Sequence, residues 1–330
     1  MERLVRCQRT RCDGTPHVHS LTVVVRKSLA NRARQQADSG WTTNMSVYKR
    51  SYKGYSGGFT PTWNRFLILP RYGYSRVFQS KFIITFLVAC FFYPMGCLAY
   101  VYITHNLSFL STLNIPAGRA FTVDAGFFDF FCRFQGVLAY LLTAIVGPNL
   151  VAPDLANNSL PLYMARPFTR SEYVAGKMTL IVALLSCITW VPGLFLFAVQ
   201  SSLAGWDWFT GNLRIGAALF FGQLLWCLVL ALLGVALSAW VRWKIAAGAL
   251  LLGVYFAGAG FGAAINGILR TNYGVVINLS SVINTIWFQM FHIDDSTGIP
   301  VAAAWTSLAI FCGICVWMLF RRVRAFEVVK

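Results

Sequence analysis

With 330 residues, 57% of them hydrophobic, only 12% charged, and a mean hydropathy of +0.59, the chain is too apolar for an ordinary soluble domain. The formal charge of +17 does not by itself make a nucleic-acid binder, because the basic residues share no folded face and lie between long uncharged runs. The nine cysteines form no disulfide framework, since most of them fall inside those same runs.

Residues 1–44 differ from the rest of the chain. "MERLVRCQRTRCDGTPHVHS" is rich in arginine and has neither a long apolar segment nor the apolar centre of a signal peptide. Cys7, Cys12, His17 and His19 invite a zinc reading, but their spacing matches no common finger. A transit peptide is a further reading of the arginine content. The expectation is a disordered N-terminal extension over residues 1–60, with Met45 as the point where translation starts. A transmembrane domain is expected over residues 61–330.

The next landmark is "RFLILPRYGYSRVFQSK". Pro70 is expected to end its first apolar patch. Beyond it, Tyr74, Val77, Phe78 and Lys81 are spaced to share one helix face, as in a short helix lying in the membrane interface. A solvated basic linker is the alternative.

Six uncharged runs follow: Phe82–Thr104, Phe134–Pro153, Met178–Trp206, Ile215–Val241, Ile245–Leu269 and Val301–Phe320. Each has about the 20 residues needed to cross a bilayer. Lipid leaves the backbone no outside partner, so all six are expected to be helical, an all-α polytopic membrane protein. The apparent span interiors contain no Asp, Glu, Lys or Arg.

Charge sets the orientation. Lys49, Arg50, Lys53, Arg65, Arg71, Arg76, Lys81, Arg166, Arg170, Lys177, Arg242, Lys244, Arg321, Arg322, Arg324 and Lys330 fall on one side. Only Arg119, Arg133, Arg214 and Arg270 fall on the other. The positive-inside rule places both termini in the cytoplasm.

Smaller features mark the spans and loops. Asp129 and Arg133, at i and i+4 near the outer end of the second span, read as a local pair, with a role in a substrate path as the alternative. Pro192 is expected to kink the third span. Gly258 and Gly262 stand four apart, a spacing that lets helices approach closely within a subunit or between subunits. "INLSSVINTIWFQMFHI" is apolar but interrupted, and is expected to lie along the outer leaflet or dip into it. Cys312 and Cys315 form a C-x-x-C inside an apolar helix, where packing is the plain reading.

The most informative stretch is the polar insert "PDLANNSLPLYMARPFTRSEYVAGK" between the second and third spans. Ser159 can cap a short helix with Pro161 in its first turn, and Pro167 disfavours helix at Arg166. Thr169 and Glu172 then form a capping box for the next helix. A stubby helix braced in this way across the base of a bundle suits a groove on another protein.

These residues resemble the membrane permeases of the second, exporter-type class of ABC transporters. The similarity rests on Gly147, Pro148, Asp154, Asn158, Leu160, Leu162, Ala165, Arg166, Pro167, Thr169, Arg170, Glu172 and Tyr173, and runs from about Pro61 to Arg324. Residues 1–44 have no counterpart in it. It implies that the short helix is a cytoplasmic coupling helix docked on a separate ATP-binding subunit. Its partner-binding residues would be Asp154, Asn158, Leu160, Leu162, Arg166, Pro167, Arg170, Glu172 and Tyr173. The segment before the first span is similar to the family's interfacial elbow helix. The resemblance also implies a second permease copy or paralogue, and ATP and magnesium held by the partner rather than by this chain. The expected location is a prokaryotic inner (plasma) membrane.

The chain itself carries no G-x-x-x-x-G-K-[ST] phosphate loop, so it is expected to bind no cofactor or metal and not to be an enzyme. A secondary transporter or channel independent of ATP is the main alternative, weakened by the uncharged spans. A membrane enzyme would want a cluster of His, Asp, Glu or Cys, yet His105 and His292 stand alone. The uncharged, aromatic-rich helices suit amphiphilic cargo, although packing explains the aromatics equally well.

Overall fold

The computed structural model describes residues 68–106, 122–157, 169–241, 243–270, 272–294 and 297–322, all within the unit Thr60–Lys330. Every regular element among the described residues is helical. The short α1 (Ile68–Val77) precedes α2 (Lys81–His105). Next come α3 (Ala125–Val146) with α4 (Pro148–Ala156), then α5 (Arg170–Ile188) with α6 (Trp190–Ala204). The short α7 (Trp206–Gly211) leads to α8 (Leu213–Trp240) and α9 (Lys244–Leu269). A 3₁₀ turn (Tyr273–Ile277) and α10 (Leu279–Phe291) separate these from α11 (Val301–Arg322).

Six stretches are long and apolar enough to cross a membrane, as the sequence leads one to expect: Lys81–His105, Ala125–Asp154, Ser171–Ala204, Leu213–Trp240, Lys244–Leu269 and Val301–Arg322. They sort into two groups by burial. The spans built from α3–α4, α5–α6 and α8 are 72%, 61% and 67% buried, whereas those of α2, α9 and α11 are 22%, 17% and 22% buried. Three helices therefore form the core, and three lean on it with apolar faces left outward, as a lipid solvent permits. α8 is the central post, touching α3 through α6 and α9 through α11.

Several expected boundaries shift. The second span starts at Ala125 rather than Phe134, capped by Asp124, whose carboxylate accepts from the Phe127 N–H at 3.1 Å. That extra length takes Asp129 and Arg133 into the span, so the expectation of charge-free interiors is wrong. The pair is tolerated because the two side chains neutralise each other at 2.6 Å. Pro70 does not end the first apolar patch; it sits in the first turn of α1, where a missing N–H costs nothing. Lys81 opens α2 instead of completing the face of α1. α1 lies against α5: a Cβ on Gly73 would overlap the Leu180 side chain, and the Tyr74 hydroxyl reaches the Leu180 carbonyl at 3.4 Å. Burial raises the Tyr74 pKa, with Cys187 adding to the shift, so the hydroxyl stays protonated and can donate.

Of the two courses expected for the segment after α9, the structure has the one that turns inward. Arg270 turns the chain through a left-handed conformation (φ 48°), and α10 returns into the bundle with Val282, Ile283, Ile286, Trp287 and Phe291 buried. The glycine pair serves this re-entry within the subunit. A Cβ on Gly262 would lie 2.7 Å from the Gly274 carbonyl oxygen, and one on Gly258 would lie 3.3 Å from that of Ile277. The 3₁₀ turn thus presses backbone to backbone on α9. It is tied there by the Gly274 N–H donating to the Asn266 side chain at 2.8 Å, and to α11 by the Ser307 hydroxyl on the Val276 carbonyl at 2.7 Å. At the far end, Arg214 donates to the Gln289 and Met290 carbonyls at 3.1 Å each. A cation there also suits the negative end of the helix dipole.

Proline breaks the hydrogen-bond ladder of two spans, and one side chain repairs both. Pro94 lies inside α2 and Pro192 in the first turn of α6, so the carbonyls four residues earlier, Cys90 and Ile188, lose their helical donor. The Gln135 side-chain amide donates to both carbonyls, at 3.3 Å for Cys90 and at closer range for Ile188. Gln135 is fully buried. The kink expected from Pro192 takes the form of a break at Thr189 (φ −103°, ψ −93°) between α5 and α6. Replacing Gln135 with Leu would preserve volume but strand both carbonyls, each at a cost of about 1–3 kcal/mol. The expected net loss for Gln135→Leu is roughly 2–4 kcal/mol, read as a lower thermal midpoint of the detergent-solubilised chain. An unchanged midpoint would show that the proline-freed carbonyls need no partner.

Candidate functional site

Two regions carry polar chemistry. The first is the junction of α4 and α5, where the segment after residue 157 leaves and returns at residue 169. The anticipated capping box is present: the Glu172 N–H donates to the Thr169 hydroxyl at 3.3 Å, and the Glu172 carboxylate accepts from the Thr169 N–H at 2.6 Å. That fixes where α5 begins. It also places Arg170 to Lys177 inside a helix, as the capping box implied.

Asp154 and Tyr173 do not point outward. Asp154 lies in α4 at 7% exposure and Tyr173 in α5 at 1%. The Tyr173 hydroxyl donates to the Asp154 carboxylate at 2.8 Å, and Lys177 pairs with the same oxygen at 2.9 Å. Lys177 also donates to the Leu150 carbonyl at 2.8 Å and lies 5.5 Å from the centre of the Tyr173 ring. Asp154 and Tyr173 were expected among the residues touching a partner; here they are buried against each other. Glu172 remains partly accessible. Asn158, Leu160, Leu162, Arg166 and Pro167 lie outside the described residues, as does the short helix expected around them, and the Arg170 side chain is likewise not described.

The same junction is fastened to the central post. Pro148 starts a new helix after Gly147, so the first N–H groups of α4 lack partners within the helix. Ser238 of α8 supplies one, its hydroxyl accepting from the N–H groups of Val151 at 3.3 Å and Ala152 at 3.0 Å. Glycine permits the approach: a Cβ on Gly147 would lie 3.4 Å from the Gly234 Cα. Ser238 and Lys177 were not singled out from the sequence. A serine in an apolar run and a lysine at a span end carry no signal until the helices meet.

The second region lies inside the bundle. Asp129 pairs with Arg133 at 2.6 Å, and the guanidinium stands 4.2 Å from the centre of the Phe288 ring. Beside it is a cavity of about 70 Å³ lined by Arg133, Gly136, Val137, Trp226, Tyr255, Ser280, Ile283, Asn284 and Trp287. The tryptophans wall it in. Trp226 donates to the Gly136 carbonyl and Trp287 to that of Gly222, each at 3.1 Å. Gln223 holds the Cys132 carbonyl at 2.9 Å. Among the described residues no His, Cys, Asp and Glu group could hold a metal.

A six-span bundle of this kind also matches a known family across nearly its whole length: residues 30–327 fit the family model of the ABC-2 family transporter proteins. The chain belongs to that family. It is therefore a multi-pass membrane component of an ABC-type transporter, not a catalytic one in its own right. The match begins at residue 30, so residues 30–44, expected to lie outside the resemblance, fall inside it. A comparison with curated proteins finds no match.

The α4–α5 junction yields a graded prediction. Asp154→Ala takes from the half-buried Lys177 its counter-charge and from Tyr173 its acceptor, a loss of about 2–4 kcal/mol. Tyr173→Phe removes one hydrogen bond from a carboxylate that keeps its lysine, about 1–2 kcal/mol. Thermal unfolding of the purified variants should rank them in that order. The reverse order would mean that the hydroxyl, not the ion pair, holds the junction.

Proposed function

We propose that the chain is the permease subunit of an ATP-driven exporter, powered by a separate ATP-binding subunit that docks on the segment between α4 and α5. One observation carries this reading: both ends of that segment are held rigidly. Asp154, Tyr173 and Lys177 tie them to each other, and Ser238 ties α4 to the central helix. A plain loop needs no such bracing. A lever that passes a push from a partner into the bundle does, because any slack at its base would absorb the movement.

In this reading Asn158, Leu160, Leu162, Arg166 and Pro167 form the docking element, with Arg170 and Glu172 at its edge. Asp154 and Tyr173 act as its brace. α1 serves as the elbow, and its contact with α5 near Leu180 would let it follow the same helix. The end of the bundle bearing Lys81, Lys177, Lys244, Arg321 and Arg322 faces the cytoplasm by the positive-inside rule. ATP and magnesium stay with the partner, and a second copy or a paralogue completes the translocation path. Export, rather than import, rests on the resemblance of the insert to exporter-type permeases.

The Asp129–Arg133 pair revives the ion-coupled alternative to a degree, since a secondary transporter would want charge inside the span. Its arrangement argues against that reading. Asp129 is 5% exposed, paired, and not among the residues lining the cavity, so it is poorly placed to exchange an ion during transport.

Docking is tested by co-purification of the ATP-binding subunit. A charge reversal at an interface can cost several kcal/mol, while one on an exposed loop stays within about half a kcal/mol. Arg166→Glu and Leu162→Ala should insert normally yet lose the partner, whereas Lys330→Glu should retain it. Full retention by both variants would rule out this docking segment. The purified chain alone should hydrolyse no ATP, having no phosphate loop. Turnover that survives removal of every co-purifying ATPase would refute that part.

A further inference from the structure

We propose that the cavity beside Arg133 holds the small acidic head of a single-tailed amphiphile, which names the cargo class if the permease reading above is right. The argument begins with the asymmetry of the ion pair. Arg133 lines the cavity and its side chain is 34% exposed, while the Asp129 side chain is 6% exposed and lies outside the lining. The pair as a whole is neutral, yet it presents only its positive end to the cavity.

The guanidinium is held in place with donors to spare. One terminal nitrogen is on Asp129 and one face lies on the Phe288 ring, while the side chain as a whole stays 34% exposed and lines the cavity. Arginine has five N–H donors in a fixed fork that matches a carboxylate. The rest of the lining agrees with that assignment. Tyr255, Ser280 and Asn284 can each donate, and no acidic side chain competes with an incoming anion. Trp226 and Trp287 spend their N–H groups on backbone carbonyls, so they offer the cavity ring surface only.

Size and surroundings define the rest of the ligand. A water needs about 10–15 Å³ of such space, so a cavity of about 70 Å³ takes a small polar head group but not a long alkyl chain. The remainder of the molecule must lie outside. From the cavity, α3 presents an apolar stripe of Phe130, Phe134, Val137 and Leu141, exposed by 63%, 44%, 46% and 37%. Their spacing places them on one helix face. An alkyl tail on that stripe with its carboxylate on Arg133 uses both features at once. A cationic amphiphile would meet the guanidinium head-on, and a neutral one would leave its donors unfilled.

The test uses the full chain in phosphatidylcholine nanodiscs and measures bound radiolabelled laurate, with empty discs subtracted. Saturable binding is expected, with acetate and dodecanol competing at least about tenfold more weakly and dodecylamine not competing. Arg133→Gln should weaken laurate binding by about tenfold or more, the value of a charged hydrogen bond. Because that change strands Asp129, the double variant Asp129→Asn, Arg133→Gln and the single variant Asn284→Leu are measured beside it. The double variant should match Arg133→Gln, and Asn284→Leu, which keeps the ion pair, should weaken binding about threefold to tenfold. Equal competition by dodecanol or dodecylamine would mean that only the tail partitions, and equal competition by acetate would mean a site for free anions. Either result overturns the proposal, as does full laurate affinity in the double variant. No ATP-binding subunit is present, so failure here leaves the docking reading untouched. Equally, loss of the docking reading would not remove a laurate site.

Discussion

The fold turns on a shortage of hydrogen-bond donors that lipid cannot make good. Two prolines, Pro94 and Pro192, open the ladders of two different spans inside an apolar bundle, and each leaves a carbonyl without its N–H. Gln135, from a third span, reaches both. That contact joins α2, α3 and the α5–α6 break at one point. Neighbouring contacts extend the stitching to the rest of the bundle: Gln223 on the Cys132 carbonyl, Trp226 on Gly136, Trp287 on Gly222, and Tyr140 on Leu251 at 2.6 Å. Helices that gain nothing from hiding apolar surface in a lipid solvent are located instead by such side-chain-to-backbone bonds and by close packing.

The same logic organises the two polar regions. At the α4–α5 junction a carboxylate is buried, but it has a tyrosine and a lysine as partners, and the free N–H groups of α4 find Ser238. Within the bundle Asp129 is buried with Arg133 as its partner, and the arginine keeps a partly exposed side chain on a cavity. One pair is closed on itself and makes a stiff joint. The other is open on one side and makes a place for a ligand. A stiff joint at the base of the proposed docking segment and an open site beside Arg133 suit a protein in which movement at one end changes access at the other.

Exposed apolar surface has a similar double meaning. The faces of α2, α9 and α11 are left largely uncovered and expose many large apolar side chains, as surfaces toward lipid or toward another subunit would. The re-entrant α10 behaves differently. It is as apolar as a span but only 13 residues long, and the turn before it is held to the bundle by glycine contacts and by bonds from Asn266 and Ser307. The difference lies in backbone contacts, not in hydropathy.

The sequence by itself determined the class of the molecule, the six crossings and the capping box at Thr169, because run length, missing charge and a four-residue cap are local properties. The family was also legible, through the residues of the polar insert. Local pattern could not say which way a side chain faces once helices meet. Asp154 and Tyr173 read as partner-binding residues of the polar insert, and the structure buries them against each other, 19 positions apart. Gln135 gave no signal, because the carbonyls it serves lie 45 and 53 residues off and are freed by prolines in other helices. Asp129 and Arg133 were seen as a pair, but only packing could take them into the span, by burying the carboxylate and turning the guanidinium to a cavity. Those choices belong to tertiary structure, because the energy of a buried polar group is set by the partner that arrives from elsewhere in the chain.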